Sequence, residues 1–327
     1  MKRRDFVKWA AVSAAAWPAG ALAQASKGTY RIGLLNSAAS VTDNSPFGTA
    51  LIRGLAQRGY VPGKNLAFES RGAEMHGDRL PSLVGELTAS KVDVIVTFGY
   101  PCALAAKQGT TLPVVAYSAG DPVASGLVDG LARPGGHLTG ISDVAAEVTP
   151  KRLELLKEFA PGLRRVAMLW NASDVGMTLR FRASEAGAKV LGISVQALGV
   201  REPDDFTQAF SAMNNEMPDA ILMVSDPLMV LNRKRVFEFA AAHRLPAIYE
   251  NDAYVRDGGL MSYGPDQDES FERVAALVDR ILKGAKPAEL PFEEPTLFKF
   301  ALNLKTAKSI GFDVPPSLLA RADEVIE

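Results

Sequence analysis

The sequence predicts an α/β protein made of two Rossmann-like lobes with parallel sheets, set in tandem. Three observations lead there. Short apolar runs alternate with helical stretches, the pattern of strands buried on both faces of a parallel sheet. The stretch Asp93–Pro101, an apolar run ending in a turn and a Pro-started helix, is written again as Asp219–Pro227, with Pro eight residues after Asp both times. Arg31–Asn36 and Arg165–Asn171 form a second matching pair, each followed by a helical stretch and a further strand. A duplicated unit implies a cleft between its copies, and 327 residues suit two domains better than one.

The first residues stand apart from this pattern. Met1–Lys8 is basic and carries twin arginines, Arg3 and Arg4; an Ala-rich apolar stretch runs from Trp9 to Gly20, and Ala21-Leu22-Ala23 is a small–x–small cleavage site. Pro18 and Gly20 break an apolar run already too short to anchor in a membrane. A twin-arginine signal peptide over 1–23, cleaved after Ala23, and a periplasmic mature protein are the expectation. No cysteine sits at that boundary, so a lipid anchor has no support there.

In the first lobe, Tyr30–Asn36 reads as a strand and Phe47–Gly59 as a helix with Leu51 and Leu55 inward and Gly59 as its stop. A strand over 65–70 and a helix over 78–90 follow, the helix burying Leu80, Leu83, Val84 and Leu87. Val94–Val96 is a strand, Pro101 suits the first position of a helix, and Val114–Tyr117 is the next strand. Pro134-Gly135-Gly136 turns the chain into a short strand, Leu138–Ser142, and a crossing to the second lobe.

The second lobe opens at Thr149-Pro150 with a helix through Phe159. Strands over 165–170, 193–198, 219–224 and 246–249 then alternate with helices over 176–190, 203–213 and 228–242, which gives a doubly wound parallel sheet. Asp257-Gly258-Gly259 breaks the pattern ahead of Leu260–Pro265. A long helix, Glu269–Lys283, carries Phe271, Val274, Leu277, Val278 and Ile281 on one side. Phe292–Leu302 is extended, 305–310 is a short helix, and Pro315-Pro316 starts the last one.

Composition excludes several functions. A formal net charge of −1, near −4 once residues 1–23 are removed, holds no basic field for nucleic acid. Cys102 is the only cysteine, so no internal disulfide forms, and its place in a helix suits a small buried hydrophobe. No nucleophile elbow, zinc-protease motif, phosphate loop, G-x-G-x-x-G or metal-spaced Cys/His set occurs. Hence no catalytic residue, metal or cofactor is expected. A hydrolase working through scattered carboxylates is the less favoured alternative.

Several phrases together resemble one family. They are Gly120–Gly140 (GDPV..GLV.GLARPGGHLTG), Lys151–Glu158 (KRLELLKE), Arg244–Glu250 (RLPAIYE), Gly258–Asp266 (GGLMSYGPD), Ile281–Thr296 (ILKGAKPAELPFEEPT), Asn303–Gly311 (NLKTAKSIG) and the closing PPSLLARADEVIE. The sequence is similar, over nearly its whole mature length, to periplasmic solute-binding proteins of ABC transporters, in the group that includes tryptophan- and tyrosine-binding members. The resemblance implies a type I periplasmic-binding-protein fold: two lobes, three crossings, a small-molecule ligand in the cleft, docking on a membrane permease, and a monomer. It also implies a discontinuous division, with 28–142 plus 265–290 in the first lobe and 143–264 plus 291–327 in the second. An exported sensor would use the same cleft and differ only in its docking partner.

In open α/β sheets ligands bind beyond the carboxyl ends of the strands. That rule selects Asn36 and Ser37, then Thr97, Phe98, Gly99 and Tyr100, then Ser118 and Asp121, all in the first lobe. In the second it selects Asn171, Ser225, Asp226 and Tyr249, with Glu250 beside it. N–H groups and hydroxyls in the first loops suit a carboxylate, while Asp121, Asp226 and Glu250 suit an ammonium group. Phe98, Tyr100, Trp170 and Tyr249 offer walls for a flat side chain. Together they describe an amino acid or related carboxylate. The duller readings are that Asp121 and Asp226 are turn formers or helix caps, that Asn36 and Asn171 cap the helices after their strands, and that Trp170 and Tyr249 are core.

Overall fold

The computed structural model describes residues 28–142 and 145–327. The leader expected over 1–23 and its cleavage after Ala23 lie outside the described residues.

The first sheet is built from β1 (Tyr30–Asn36), β2 (Leu66–Gly72), β3 (Val94–Phe98), β4 (Val114–Tyr117) and β5 (Leu138–Ile141), in the order β2-β1-β3-β4-β5 and parallel throughout. The second holds β6 (Arg165–Asn171), β7 (Ser194–Val200), β8 (Ala220–Met223), β9 (Ala247–Tyr249), β10 (Met261–Pro265), β11 (Phe298–Asn303) and β12 (Glu324–Ile326). Its order is β12-β11-β10-β9-β8-β6-β7, parallel except where β11 returns against β10. Strands such as Val94–Val96 and Ala220–Met223 are buried on both faces because helices cover both sides, which is why they read as unbroken apolar runs.

Helices α1 (Pro46–Ala56), α2 (Leu80–Ala89) and α3 (Gly99–Gly109) flank the first sheet. Helices α4 (Ala145–Phe159), α5 (Val175–Val190), α6 (Asp205–Asn215), α7 (Pro227–Ala242) and α8 (Asp252–Arg256) belong with the second. The long helix α9 (Gln267–Leu282) leaves β10 and packs on the first sheet: Phe271, Val274, Leu277, Val278 and Ile281 join Ile32, Leu51 and Val94 in one core. Its contact with α1 is close enough that a Cβ on Gly54 would fall 2.7 Å from that of Ala275. Helices α10 (Leu304–Ser309) and α11 (Pro316–Leu319) complete the second lobe.

The chain therefore passes between the two sheets three times: after Ser142, between Pro265 and Gln267, and from Glu293 to Leu297. Phe292 still packs in the first core. The three passages are fastened together. Ser142 N–H donates to the Glu293 carbonyl at 2.8 Å, and Asp266 N–H donates to the Leu297 carbonyl at 2.9 Å. The Glu269 carboxylate accepts the N–H groups of Thr296 (3.1 Å) and Leu297 (2.9 Å).

Two local departures from the sequence reading have plain causes. Helix α4 starts at Ala145, so Pro150 lies inside it and not at its opening. Its ring sits where α4 and α5 meet, against Gly187, whose Cβ position would be 3.1 Å from Pro150 Cγ; this packing offsets the lost backbone donor. The three-residue strand β12 and the five-residue helix α8 are too short to show a period, and both are fixed by tertiary contacts such as Arg256 with Glu324.

Candidate functional site

The carboxyl ends of the two sheets face each other across a cavity of about 590 Å³. That is within the usual range of about 300–1,000 Å³ for small-molecule pockets. The lobes touch around it: a Cβ on Gly176, at the start of α5, would lie 3.3 Å from Tyr100 Cβ, and one on Gly120 would lie 3.7 Å from Gly176 Cα.

The first-lobe face is neutral. Asn36 and Ser37 follow β1, Phe98 and Gly99 end β3, Tyr117 and Ser118 end β4, Ser142 follows β5, and Gln267 and Ser270 come from α9. Phe98 and Tyr117 are the half-buried, cavity-lining members of an aromatic cluster: Phe47 meets Phe98 edge-on at 4.2 Å between centroids, and Tyr117 lies 5.2 Å from Phe271. The Tyr117 hydroxyl donates to Gln267 Oε1 at 2.6 Å, which fixes the ring's tilt. Gly99 takes φ +77°, and Ser118 takes φ +55° although it is not glycine. A left-handed non-glycine residue costs about 1–3 kcal/mol and is held only where its surroundings determine it. The Ser118 N–H is held by the Ile141 carbonyl at 3.2 Å.

The second-lobe face carries every charged side chain that lines the cavity among the described residues: Arg152, Asp174, Arg180, Arg201, Asp226 and Glu250. Glu250, just past β9, lies between two arginines. Its Oε1 accepts from Arg152 Nη1 and its Oε2 from Arg180 Nη1, each at 2.8 Å, and Oε2 also accepts the Ser225 N–H at 2.8 Å. Arg152 and Arg180 are only 1% and 2% exposed, so these ion pairs are shielded from water. Asp226 caps α7, with Oδ1 accepting Met229 N–H at 2.8 Å, while Oδ2 accepts from Asn171 Nδ2 at 2.6 Å. Burial pushes its carboxyl up to about 6, against the pull of the Met229 N–H and the Asn171 amide; Asp174 raises it further. Asp174 caps α5 through Met177 N–H at 3.2 Å.

Of the twelve residues selected from sequence, Asn36, Ser37, Phe98, Gly99, Ser118, Asn171, Ser225 and Asp226 line the cavity. Four do not. Thr97 sits one residue inside β3 and is fully buried between β1 and β4. Tyr100 points back into the first lobe's core. Asp121 is exposed and folds onto its own turn, Oδ1 accepting from Val123 N–H (3.0 Å) and Ala124 N–H (2.9 Å). Tyr249 is 1% exposed in the second lobe's core, beside Phe237 and Tyr254. Trp170 likewise stacks on Phe181 at 3.9 Å within that lobe. Glu250 reaches the cavity, but its oxygens are engaged by the arginines, so it is no simple partner for an ammonium group.

Sequence reasoning missed Tyr117, Asp174, Arg152, Arg180 and Gln267. Tyr117 and Asp174 lie in or beside strand-end segments and were within reach of the same rule. The arginines and Gln267 project from helix interiors or starts, where nothing in the pattern marks them. Among the described residues no group of His, Cys, Asp and Glu is arranged to hold a metal ion, and no helix is long and apolar enough to cross a membrane.

The sequence model of the family described as ABC transporter substrate binding protein matches residues 47–326. The chain belongs to that family. A tyrosine-binding protein of Clostridioides difficile (strain R20291) is 25% identical to this substrate-binding protein over 260 residues, 79% of this chain and 74% of the relative. A Streptococcus pneumonia ABC domain in complex with L-Trp is 26% identical and superposes with a TM-score of 0.82 over 91% of this chain and all of that one (100%). A ligand-free, open substrate-binding protein from Clostridium difficile, 24% identical, superposes at 0.65 over 91% of this chain and 99% of its own. The fold of this substrate-binding protein is the type I periplasmic-binding-protein fold.

Proposed function

We propose that this substrate-binding protein captures an amino acid with an aromatic or other flat side chain between its lobes and delivers it to a membrane permease. The observation that carries this reading is the division of labour across the cavity. One face presents carboxylates and guanidinium groups together, as a zwitterion requires; the other presents Phe98 and Tyr117 among hydroxyl and amide groups, as a flat side chain requires. Asp226, with Asp174 near it, takes the ammonium group: burial disfavours the ionised Asp226 carboxylate, and a cation there offsets that cost and the lesser repulsion from Asp174. Closure follows because a ligand touching both faces favours the arrangement in which they meet. The relatives that bind L-Trp or tyrosine support the ligand class. The twin-arginine leader supports export to the periplasm.

A thermal-shift screen of the twenty amino acids, aromatic acids and short peptides tests it. A true ligand at one hundred times its Kd adds about 2.7 kcal/mol to the folded state. Stabilisation by aromatic amino acids is expected. Stabilisation only by sugars or polyols, or turnover of any compound, contradicts it.

A further inference from the structure

Met75 belongs to the first lobe, yet it packs against the core cluster of the second, the one formed by α6, α7, β8 and β9. Among the described residues it is the one first-lobe side chain that joins a second-lobe core cluster. It also lines the ligand cavity. The backbone that delivers it is strained: Glu74 takes φ +52° and Met75 φ +65°, two successive non-glycine residues in the left-handed region.

What holds that strain is the loop after β1. Ala73 N–H donates to the Asn36 carbonyl at 2.9 Å, Met75 N–H to that of Ser37 at 2.8 Å, and Glu74 N–H to that of Ala38 at 3.1 Å. Gly72 lets the two loops approach, since a Cβ there would lie 2.3 Å from Ser40 N. Asn36 and Ser37 themselves line the cavity. The cavity-lining loop and the arm that carries Met75 are therefore joined by three backbone hydrogen bonds.

We propose that Met75 is a closure latch: it holds the lobes together by seating in the second lobe's apolar core, and the Asn36–Ala38 loop keeps it poised to do so. The proposal rests on the reading of the cavity as a cleft that closes. A thioether on an unbranched, polarizable chain suits a contact that must form and release. Another contact between the faces, Gly120 and the Tyr100 Cβ against Gly176, is made at two glycines and so adds little apolar area. In the latch account Met75 sets how long a ligand is kept; it does not itself recognise the ligand's charges.

Spin labels on Ala89→Cys in α2 and Gln208→Cys in α6, both exposed positions, report the distance between the lobes by double electron–electron resonance; native Cys102 is buried. Distances are recorded without ligand and with L-tryptophan or L-tyrosine, in Met75, Met75→Ala and Met75→Leu backgrounds. The closed-to-open ratio is expected to fall about tenfold or more in Met75→Ala and to recover in Met75→Leu. Where either amino acid binds, its dissociation rate rises in parallel. Equal closed fractions for Met75 and Met75→Ala overturn the latch, as does a Met75 protein wholly open in every condition. Closure that depends on Met75 while neither amino acid binds upholds the latch and overturns the amino-acid reading.

Discussion

Glu250 Oε1 lies 2.8 Å from Arg152 Nη1, and this bond ties the cavity floor to the inter-lobe passages. Arg152 stands on α4, the first element after the chain crosses from the first sheet. Its Nε donates to the Tyr263 carbonyl at 2.6 Å, two residues before β10 ends at the second crossing. Glu250 is thus tied, through Arg152, to the strand that leads into the second crossing.

Replacing Glu250 by Gln leaves two buried guanidinium groups facing a neutral amide. Loss of a buried ion-pair partner typically costs about 3–5 kcal/mol. Urea unfolding of Glu250→Gln should show a loss of that order; a change under about 1 kcal/mol would mean that the arginines are satisfied elsewhere.

Asp226 and Asp121 separate cleanly. Asp121→Ala removes an exposed turn cap and should leave amino-acid affinity unchanged. Asp226→Ala should weaken it by about 2–5 kcal/mol, the usual loss for one partner of a buried charge pair. Isothermal titration of both variants reads the difference.

The raised Asp226 carboxyl sets a pH dependence of both folding and binding. The folded chain holds this proton more tightly than the unfolded chain, so the group's contribution to stability is full below the ordinary carboxylate range. It is lost as pH rises through about 6. Binding of an ammonium group needs the ionised form. Affinity should therefore weaken by about tenfold per pH unit below that point and be flat above it. Titrations from pH 5 to 8 with wild type and Asp226→Asn test this, since the variant should lose the dependence.

Cys102 should be chemically silent. Burial pushes its thiol up to about 12, against the Ser37 hydroxyl at 3.2 Å, so the thiolate is scarce at pH 8. Ellman's reagent should react with the native protein slowly, and with one equivalent of thiol after unfolding.

The architecture was legible because it is written in periodicity: buried strands give apolar runs, and the repeated Asp-to-Pro spacing exposed the duplication. The rule for strand ends found Asn36 and Phe98, which close β1 and β3, and Ser118 and Asp226, which lie in the loops just past β4 and β8. It failed for Thr97, one residue too early, and for Tyr249, where the strand is buried to its end. Arg152 and Arg180 stayed hidden because their place in the cavity depends on how α4 and α5 pack on the sheet, which no local pattern records. Met75 was missed for a related reason: its left-handed backbone is imposed by the neighbouring loop and not by its own type.

A small zwitterion bound between the lobes should bring them together. Solution scattering of the protein with and without the best ligand from the thermal screen tests it most directly. A smaller radius of gyration at saturation, with an unchanged molecular mass, is the predicted result. An identical radius with ligand demonstrably bound would contradict it.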